Sequence, residues 1–480
     1  MFDAGYFSRC LGKDVKNVLI KDVQELEQSQ IFIVQLQYDV KDKTPFVLLL
    51  KRYNLVRLMS RIQKPLMKWR ISALSFANEY TFCTAISDTA KNSEMQLRGV
   101  LIPAVLHTSR TYPEEPSFGE KISTAGLEQN LYNQAICTSS GQHSPSVSQH
   151  FGENGNTCSS SSSQTCSSEC STLPSHLRED HQKDNMLNFS YDLLFDYVDP
   201  HLQYQVGQLN LEETKAALKL LANFHAYFWR RSELDEFSEL RRQLFRRGGW
   251  WRKELRPSVA FDTIPSAFKG LCESFPEQEL LGTLDNRDTH AAMNMLCTKV
   301  DWINEELRAQ PDKTILHGDA KTSNLFFCNR RRQDSGLIDG AQSLAPSLMA
   351  TCIDFQWVGN ASSGMGDVVY LLSGAVQYKV LKDNEQGLLK WYWECLCESL
   401  QDADRIGGVP PEYSWDQCQA DEKLEYLAYF VTALPQLMGG LNAIYCQQNV
   451  GKFGWLTHEM DPRVITWMCQ KAKRLVQELF

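Results

Sequence analysis

Three polar side chains with complementary chemistry lie close together between two short apolar runs. In the stretch 315–327, ILHGDAKTSNLFF, Asp319, Lys321 and Asn324 supply a carboxylate, an ammonium group and an amide. A carboxylate can accept or orient a proton, a lysine can neutralise phosphate charge, and an amide oxygen can bind a hard cation. This spacing predicts a site that holds a hydroxyl group, a phosphate and a metal ion.

A second acidic position ends another apolar run further along the chain. The sequence ATCID at 350–354 predicts a strand that delivers Asp354 to a turn. Such a carboxylate would complement the Asn324 amide, because Mg²⁺ binds oxygen ligands. The sequence GLIDG places Asp339 in the same kind of setting. On these grounds alone, either aspartate is a candidate metal ligand.

Near the N-terminus, a lysine ends an apolar strand and an acid lies on the helix that follows. Residues 46–53, FVLLLKRY, predict a strand that carries Lys51, and residues 71–86 predict a helix whose only acid is Glu79. Burying an unpaired ammonium group is costly, so a buried Lys51 needs an acidic partner. We expect that partner to be Glu79; the alternative is a lysine that reaches solvent from the strand end.

The loop sequence HGDAKTSN at 317–324 resembles the catalytic loop of the protein-kinase-like superfamily. Its His-Gly-Asp is similar to that of the aminoglycoside phosphotransferase and the choline and ecdysteroid kinase-like families, whereas protein kinases usually carry His-Arg-Asp. Asp354-Phe355-Gln356 stands where kinases have Asp-Phe-Gly, with the glutamine that ecdysteroid kinase-like proteins often have. The resemblance covers most of 30–110 and 186–380, and is specific in 315–327 and 351–372.

The resemblance implies a role for each residue of the two loops. Asp319 would orient or deprotonate the acceptor hydroxyl, and Lys321 would supply positive charge to the γ-phosphate. Asn324 and Asp354 would bind Mg²⁺. Asp354 is preferred to Asp339 because the sequence that follows it, GMGDVVYLL at 364–372, resembles the family's aspartate and apolar helix.

The same resemblance implies residues that bind the nucleotide and a residue that supports the catalytic loop. Lys51, held by Glu79, would contact the α- and β-phosphates of ATP. The backbone at Asp196, Tyr197 and Val198 would form the hinge that hydrogen-bonds adenine. Further along the chain, Asp367 would brace the catalytic loop rather than touch substrate.

The implied fold class is α+β: a two-lobed, protein-kinase-like fold with a small antiparallel β-sheet lobe and a larger, mainly helical lobe. We expect the first lobe to span residues 1–200 and the helical lobe, with the catalytic loop and metal site, to span 201–480. Residues 111–183 are rich in Ser, Gln, Asn, Gly and Thr and contain few large apolar residues. This composition predicts a disordered insertion in the first lobe.

Charge and cysteine content restrict the class of protein. The net charge of −9 over 480 residues disfavours general binding to nucleic acid or to anionic membranes. Fifteen scattered cysteines, without an apolar leader sequence, are typical of reduced thiols in the cytoplasm. No stretch approaches the roughly 18–20 apolar residues of a membrane span.

The predicted function is ATP- and Mg²⁺-dependent phosphorylation of a hydroxyl group on a small molecule. A protein Ser/Thr kinase is one alternative, favoured by the position of Lys321, but no Ala-Pro-Glu follows Asp354. A catalytically inactive scaffold is the other. It is favoured by the lack of a Gly-x-Gly-x-x-Gly motif in 10–35, which also leaves the phosphate-covering loop unassigned.

Overall fold

The structure is a computed structural model that describes part of the chain. The described residues are 3–11, 13–25, 30–37, 46–54, 66–87, 95, 105–111, 190–196, 203–229, 235–256, 258–275, 282–329, 348–402, 413–439, 441–449 and 461–480. The hinge candidates Tyr197 and Val198, the alternative metal ligand Asp339 and residues 112–183 of the predicted insertion lie outside them.

The described residues form short strands and mostly longer helices. The strands are β1 (Asn17–Glu25), β2 (Gln30–Gln37), β3 (Phe46–Asn54), β4 (Val105–Thr111), β5 (Ser190–Asp196), β6 (Thr314–Leu316), β7 (Leu325–Asn329), β8 (Leu348–Cys352) and β9 (Gly359–Ala361). The helices are α1 (Ala4–Leu11), α2 (Leu66–Ile86), α3 (Leu211–Trp229), α4 (Asp235–Gln243), α5 (Val259–Asp262), α6 (Ile264–Glu273), α7 (Arg287–Ala309), α8 (Met365–Ala375), α9 (Tyr378–Asp402), α10 (Trp415–Ala433), α11 (Ala443–Asn449) and α12 (Pro462–Leu479). None of the described helices combines the length and the apolar character that crossing a membrane would require.

The chain divides into two compact units. One comprises Met1–Tyr53, Ser75–Arg110 and Tyr191–Phe480, and it contains all the site residues described below. The other comprises Asn54–Leu74 and Thr111–Ser190. The α+β prediction is confirmed, with small antiparallel pairings and mostly helical content. The two-lobed arrangement and the boundary near residue 200 stay predictions.

A five-stranded sheet carries Lys51, the strand lysine of the predicted site. Its strand order is β1-β2-β3-β5-β4, and β2 pairs antiparallel with both β1 and β3. Buried apolar side chains alternate along β2 and β3 and form a core with Phe7 of α1; they are Val34, Leu36, Leu48 and Leu50. Since side chains alternate across a strand, Lys51 and Tyr53 of β3 point to the other face.

The structure moves one predicted bound. Strand β4 spans Val105–Thr111. Because Thr111 still belongs to β4, the predicted insertion begins no earlier than residue 112. Helix α1 and strand β1 were not predicted.

Helix α3 forms a central support of the helical part. Its start is fixed by a reciprocal cap: the Asn210 side chain accepts from the backbone N–H groups of Glu212 and Glu213 at 2.9 and 3.0 Å, and Glu213 accepts from the Asn210 N–H at 2.9 Å. Its buried face then packs against α9, β6 and β8. This places α3 directly beneath the strands that lead into the site.

Two antiparallel strand pairs position the two loops predicted to carry the chemistry. Strand β6 pairs with β9, with Leu316 opposite Gly359, and β7 pairs with β8, with Leu325 opposite Cys352. The loop 317–324 joins β6 to β7, and the loop 353–358 joins β8 to β9. The pairing therefore brings the loops side by side.

Candidate active site

A buried lysine joins the sheet to one of the loops. The Nζ atom of Lys51 lies 3.1 and 3.0 Å from the two carboxylate oxygens of Glu79 and 2.9 Å from Oδ1 of Asp354. Burial disfavours the ammonium charge, but the carboxylates of Asp354 and Glu79 outweigh it and hold the pKa of Lys51 well above its usual value. Lys51 is therefore charged and bound to two acids that are far from it in sequence.

Glu79 is a fully buried carboxylate that holds more than one partner. The Tyr53 hydroxyl donates a short hydrogen bond to it, and the backbone N–H of Phe355 donates to its Oε1 at 3.1 Å. The Gln356 side chain donates in turn to the Tyr53 hydroxyl at 3.0 Å. These contacts couple β3, α2 and the loop after β8, so that Glu79 can position Lys51 for a ligand.

Asp354 adopts a backbone conformation that is unusual for its type. Its φ of 71° is the one positive φ of a non-glycine residue in the described part of the chain. Aspartate tolerates this left-handed region better than most residues, although it still carries strain. Burial raises the pKa of the Asp354 carboxyl, but Lys51 and Lys321 lower it more, so the net pKa is below its usual range. The group is therefore an anion at neutral pH.

Side chains of the loop 317–324 contact one carboxylate, that of Asp319. Lys321 Nζ lies 2.8 Å from Oδ2 of Asp319, and the Asn324 amide nitrogen donates to the same Oδ2 at 3.1 Å and to the Asp319 carbonyl at 2.9 Å. The hydroxyl of Tyr370 donates to Oδ1 at 3.0 Å. Burial raises the pKa of Asp319, Lys321 opposes this, and the net pKa lies above its usual value. An aspartate with a raised pKa is a better proton acceptor than an ordinary one.

The metal-ligand candidates meet through the β7–β8 pair. The backbone carbonyl of Asn324 accepts from the N–H of Ile353, next to Asp354. Because the Asn324 amide nitrogen is directed to Asp319, its amide oxygen is the atom available for a cation. The Asp354 side chain keeps 25% of its surface exposed, more than the other acids of the site.

The donor set fits Mg²⁺ better than a metal held by protein alone. No group of three or more His, Cys, Asp or Glu side chains that could hold a metal occurs within the described residues. Mg²⁺ commonly takes only one or two protein ligands together with phosphate oxygens and water. One carboxylate and one amide oxygen match that requirement.

A buried aspartate supports the backbone of the catalytic loop. Asp367, in the first turn of α8, accepts from the N–H groups of His317 and Gly318 at 2.6 and 2.8 Å. It also contacts Nε2 of His225 at 3.0 Å, while Nδ1 of His225 contacts the Tyr392 hydroxyl at 2.8 Å. Both ring nitrogens of His225 are engaged, so this residue orients Asp367.

Two glycines allow a close approach beneath the loop. Gly318 has a φ of 79°, and a Cβ atom there would run into the carbonyl of Trp357 and come within 2.7 Å of the Gly249 nitrogen. Gly249 donates its N–H to the Trp357 carbonyl at 3.0 Å, and Trp250 donates to the Gly318 carbonyl at 3.4 Å. The segment at 249–250 therefore contacts both loops at once.

Three consecutive carbonyls after Asp354 are hydrogen-bonded. The Asn78 side chain donates to the carbonyls of Gln356 and Val358 at 3.1 and 2.6 Å, and Gly249 binds the carbonyl of Trp357 between them. The Asn78 amide oxygen accepts from the N–H of Phe245 at 3.0 Å. Helix α2 and the segment 245–249 thus hold the 356–358 backbone from two sides.

The structure brings together six of the predicted site residues in two groups, and hydrogen bonds join the members of each group. One group contains Lys51, Glu79 and Asp354, and the other contains Asp319, Lys321 and Asn324. Asp196 ends β5, but the structure does not describe its side chain, and it describes neither Tyr197 nor Val198. The adenine hinge is therefore not tested.

Sequence reasoning missed Tyr53, Asn78 and Tyr370. For Tyr53 a signal existed, because it lies two residues after Lys51 on a strand and must share its face. Tyr370 lies three residues after Asp367, so a helix places both on one side. For Asn78 there was no local signal, because its partners follow 167 to 280 residues later.

One of the comparisons with known proteins gives a match. The model of the ecdysteroid kinase-like family matches residues 203–405, a range that contains both loops, their four strands and α3. No curated protein matches the chain.

Proposed function

We propose that this chain, whose residues 203–405 match the model of the ecdysteroid kinase-like family, is a phosphotransferase of the protein-kinase-like superfamily. It would use ATP and Mg²⁺ to phosphorylate a hydroxyl group of a small molecule. The family supports the class of reaction, and the site geometry supports the roles of individual residues.

The contact of Lys51 with both Glu79 and Asp354 carries the proposal. A structural ion pair needs only one acid for one lysine, and burying further charge is unfavourable without a function or more hydrogen bonds. Here the second acid is the partly exposed group that stands beside Asn324. The arrangement fits a lysine that would bind phosphate oxygens beside the residues that would hold a cation.

The chain's own residues divide the remaining work. Lys51 would bind the α- and β-phosphates, and Asn324 and Asp354 would hold Mg²⁺, which neutralises charge on the phosphates when bound. Asp319 would orient the acceptor hydroxyl and take its proton, which its raised pKa favours. Lys321 lies beside Asp319 and would supply positive charge to the transferred phosphoryl group.

The untested predictions remain part of the proposal. The backbone at Asp196, Tyr197 and Val198 would bind adenine, residues 1–200 and 201–480 would form the two lobes, and 112–183 would be an insertion. A cytoplasmic location and the lack of a nucleic-acid partner are proposed from the cysteine content and the net charge of −9.

A small-molecule acceptor is favoured over a protein acceptor by the short connection after Asp354. Only residues 355–364 separate this aspartate from the start of α8, and they include strand β9. Their carbonyls at 356–358 are engaged in hydrogen bonds within the site. This leaves no long segment between Asp354 and α8 on which a protein substrate would dock.

Binding of Mg-ATP is the first test. A ligand at 100 times its dissociation constant stabilises the native state by about 2.7 kcal/mol, which thermal unfolding detects. Asp354→Asn is the informative variant, because asparagine also tolerates a positive φ while removing the charge. We expect Mg-dependent stabilisation by ATP in the wild type, a large loss in Asp354→Asn, and no loss in Asp383→Asn, an exposed residue of α9. No stabilisation of the wild type would refute the proposal.

Transfer chemistry is the second test. The protein is incubated with γ-labelled ATP and a fractionated metabolite extract, and labelled products are separated from labelled protein. We expect label in a small molecule, and loss of that label in Asp319→Asn with Mg-ATP binding retained. Label found only on added protein substrates would instead favour a protein kinase.

A further inference from the structure

The Asp319 carboxylate is held from two sides by different groups. Lys321 and the Asn324 amide both contact Oδ2, whereas the Tyr370 hydroxyl donates to Oδ1 at 3.0 Å. A carboxylate has about four acceptor positions, two on each oxygen. The described residues therefore fill both positions on Oδ2 and one on Oδ1, so one position on Oδ1 remains for an incoming hydroxyl.

Tyr370 is itself fixed by neighbouring aromatic rings. Its ring centroid lies 5.0 Å from that of Trp251, 5.5 Å from Tyr429 and 5.9 Å from Trp250. Such tilted and edge-to-face contacts are favourable in addition to the area they bury. Trp250 also donates its backbone N–H to Gly318, so this aromatic group is attached to the loop that it supports.

Helix α8 contacts the catalytic loop at two levels. Asp367 binds the loop backbone at His317 and Gly318, and Tyr370, three residues later, binds the Asp319 side chain. Residues three apart lie on the same side of a helix. The helix thus sets both the path of the loop and the rotation of its carboxylate.

We propose that Tyr370 is a positioning residue that holds the Asp319 carboxylate so that Oδ1 receives the proton of the attacking hydroxyl. This inference rests on the proposed function. In the step, the acceptor oxygen bonds to the γ-phosphorus, the bond from phosphorus to the ADP oxygen breaks, and the hydroxyl proton passes to Oδ1. Tyr370 keeps its own proton and touches neither substrate.

The role has a signature in the split between turnover and binding. Asp319 acts on the acceptor hydroxyl and not on ATP, so a carboxylate that is free to rotate lowers the turnover rate and leaves Mg-ATP binding unchanged. Removing the hydrogen bond from Tyr370 frees that rotation. A purely structural role in the helix would lower the amount of folded protein without changing the turnover rate per folded molecule.

The experiment uses ATP hydrolysis, with water as the acceptor, because the natural acceptor is unidentified. Full-length wild type and Tyr370→Phe are compared for Mg-ATP binding and for the hydrolysis rate at saturating ATP, expressed per folded molecule. Tyr426→Phe is the matched control: its hydroxyl is buried and donates to the Met468 carbonyl at 2.8 Å, away from the loop. Loss of one hydrogen bond to a charged group predicts a rate about tenfold lower in Tyr370→Phe.

The expected result is unchanged Mg-ATP binding and the lower rate in Tyr370→Phe, with wild-type behaviour in Tyr426→Phe. If Tyr370→Phe fails to fold, 4-fluorophenylalanine at position 370 replaces it, because its fluorine fills much of the space of the hydroxyl but has no proton to donate. A wild-type rate in the folded variant overturns the inference. A wild type that binds no Mg-ATP refutes the proposed function instead, and the inference with it.

Discussion

Replacing the buried aspartate beneath the catalytic loop is expected to loosen that loop by a predictable amount. In Asp367→Asn the side chain keeps its size but loses its charge and one acceptor oxygen. The amide oxygen can accept from the N–H of His317 or of Gly318, but not from both with the geometry seen at 2.6 and 2.8 Å. The other N–H faces the new amide nitrogen, which is also a donor.

The magnitude follows from these two bonds. The retained bond becomes a neutral one and weakens by about 1 kcal/mol, since charge-assisted hydrogen bonds are roughly twice as strong. The lost bond leaves a buried N–H without an acceptor, which costs about 2 kcal/mol. The sum of about 3 kcal/mol corresponds to a roughly 150-fold change in the opening equilibrium of the loop.

Hydrogen exchange of the loop amides measures this directly, because it reports local opening without complete unfolding. We expect exchange at His317 and Gly318 to accelerate by about two orders of magnitude in Asp367→Asn. Asp383→Asn, an exposed change on α9, should leave it unchanged. If exchange in a folded Asp367→Asn accelerates less than about threefold, the energies assigned to the two hydrogen bonds from His317 and Gly318 are wrong.

The same variant carries a pH prediction. Burial raises the pKa of Asp367, but the hydrogen bond and charge of His225 and the charge of His317 lower it more, so the net pKa lies below its usual value. A carboxyl with a lowered native pKa contributes stability that is present above its unfolded pKa and is lost as pH falls through the native one. The difference between wild type and Asp367→Asn should therefore shrink below about pH 4.

Three further outcomes are expected. Lys51→Met should abolish Mg-ATP turnover and lower thermal stability, because Glu79 remains buried without its cation; removing one partner of a buried pair costs about 3–5 kcal/mol. Lys51→Met combined with Glu79→Gln should regain part of that stability but no turnover, and a double variant no more stable than the single one would contradict the ion-pair account. Gly318→Ala should destabilise by at least about 2 kcal/mol in urea unfolding, since alanine is disfavoured at a φ of 79° and its Cβ meets the carbonyl of Trp357. Gly270→Ala on α6, where a Cβ meets nothing within 4 Å, should be neutral or stabilising; equal losses at the two glycines would show that backbone strain at 318 is not the cause.

The local part of the site could be predicted from the sequence because it depends on short-range patterns. The order of Asp319, Lys321 and Asn324 lies within one loop, and the apolar run before Asp354 indicates a strand that ends at an acid. The pairing of Lys51 with Glu79 could be inferred because each needs a partner of opposite charge. The strand around Lys51 contains no acid, and Glu79 is the only acid of its helix.

The supporting contacts could not be predicted because their partners are distant in sequence. His225 and Asp367 are 142 residues apart, and either residue alone has an ordinary helical surrounding. A Cβ atom at Gly249 would meet the ring of Trp251, and the Gly249 N–H donates to the carbonyl of Trp357, which is distant in sequence. The glycine alone indicates neither contact.

The engaged carbonyls at 356–358 have a consequence for how this site could be switched. A site that is switched off by an outward movement of Asp354 needs a following segment that can change its path. Here three backbone hydrogen bonds, from Asn78 and Gly249, would break in such a movement. At about 1 kcal/mol each, they hold the outward state below roughly one molecule in a hundred. Control of this protein would therefore act on access to the site, or on the sheet that carries Lys51, while Asp354 stays in place.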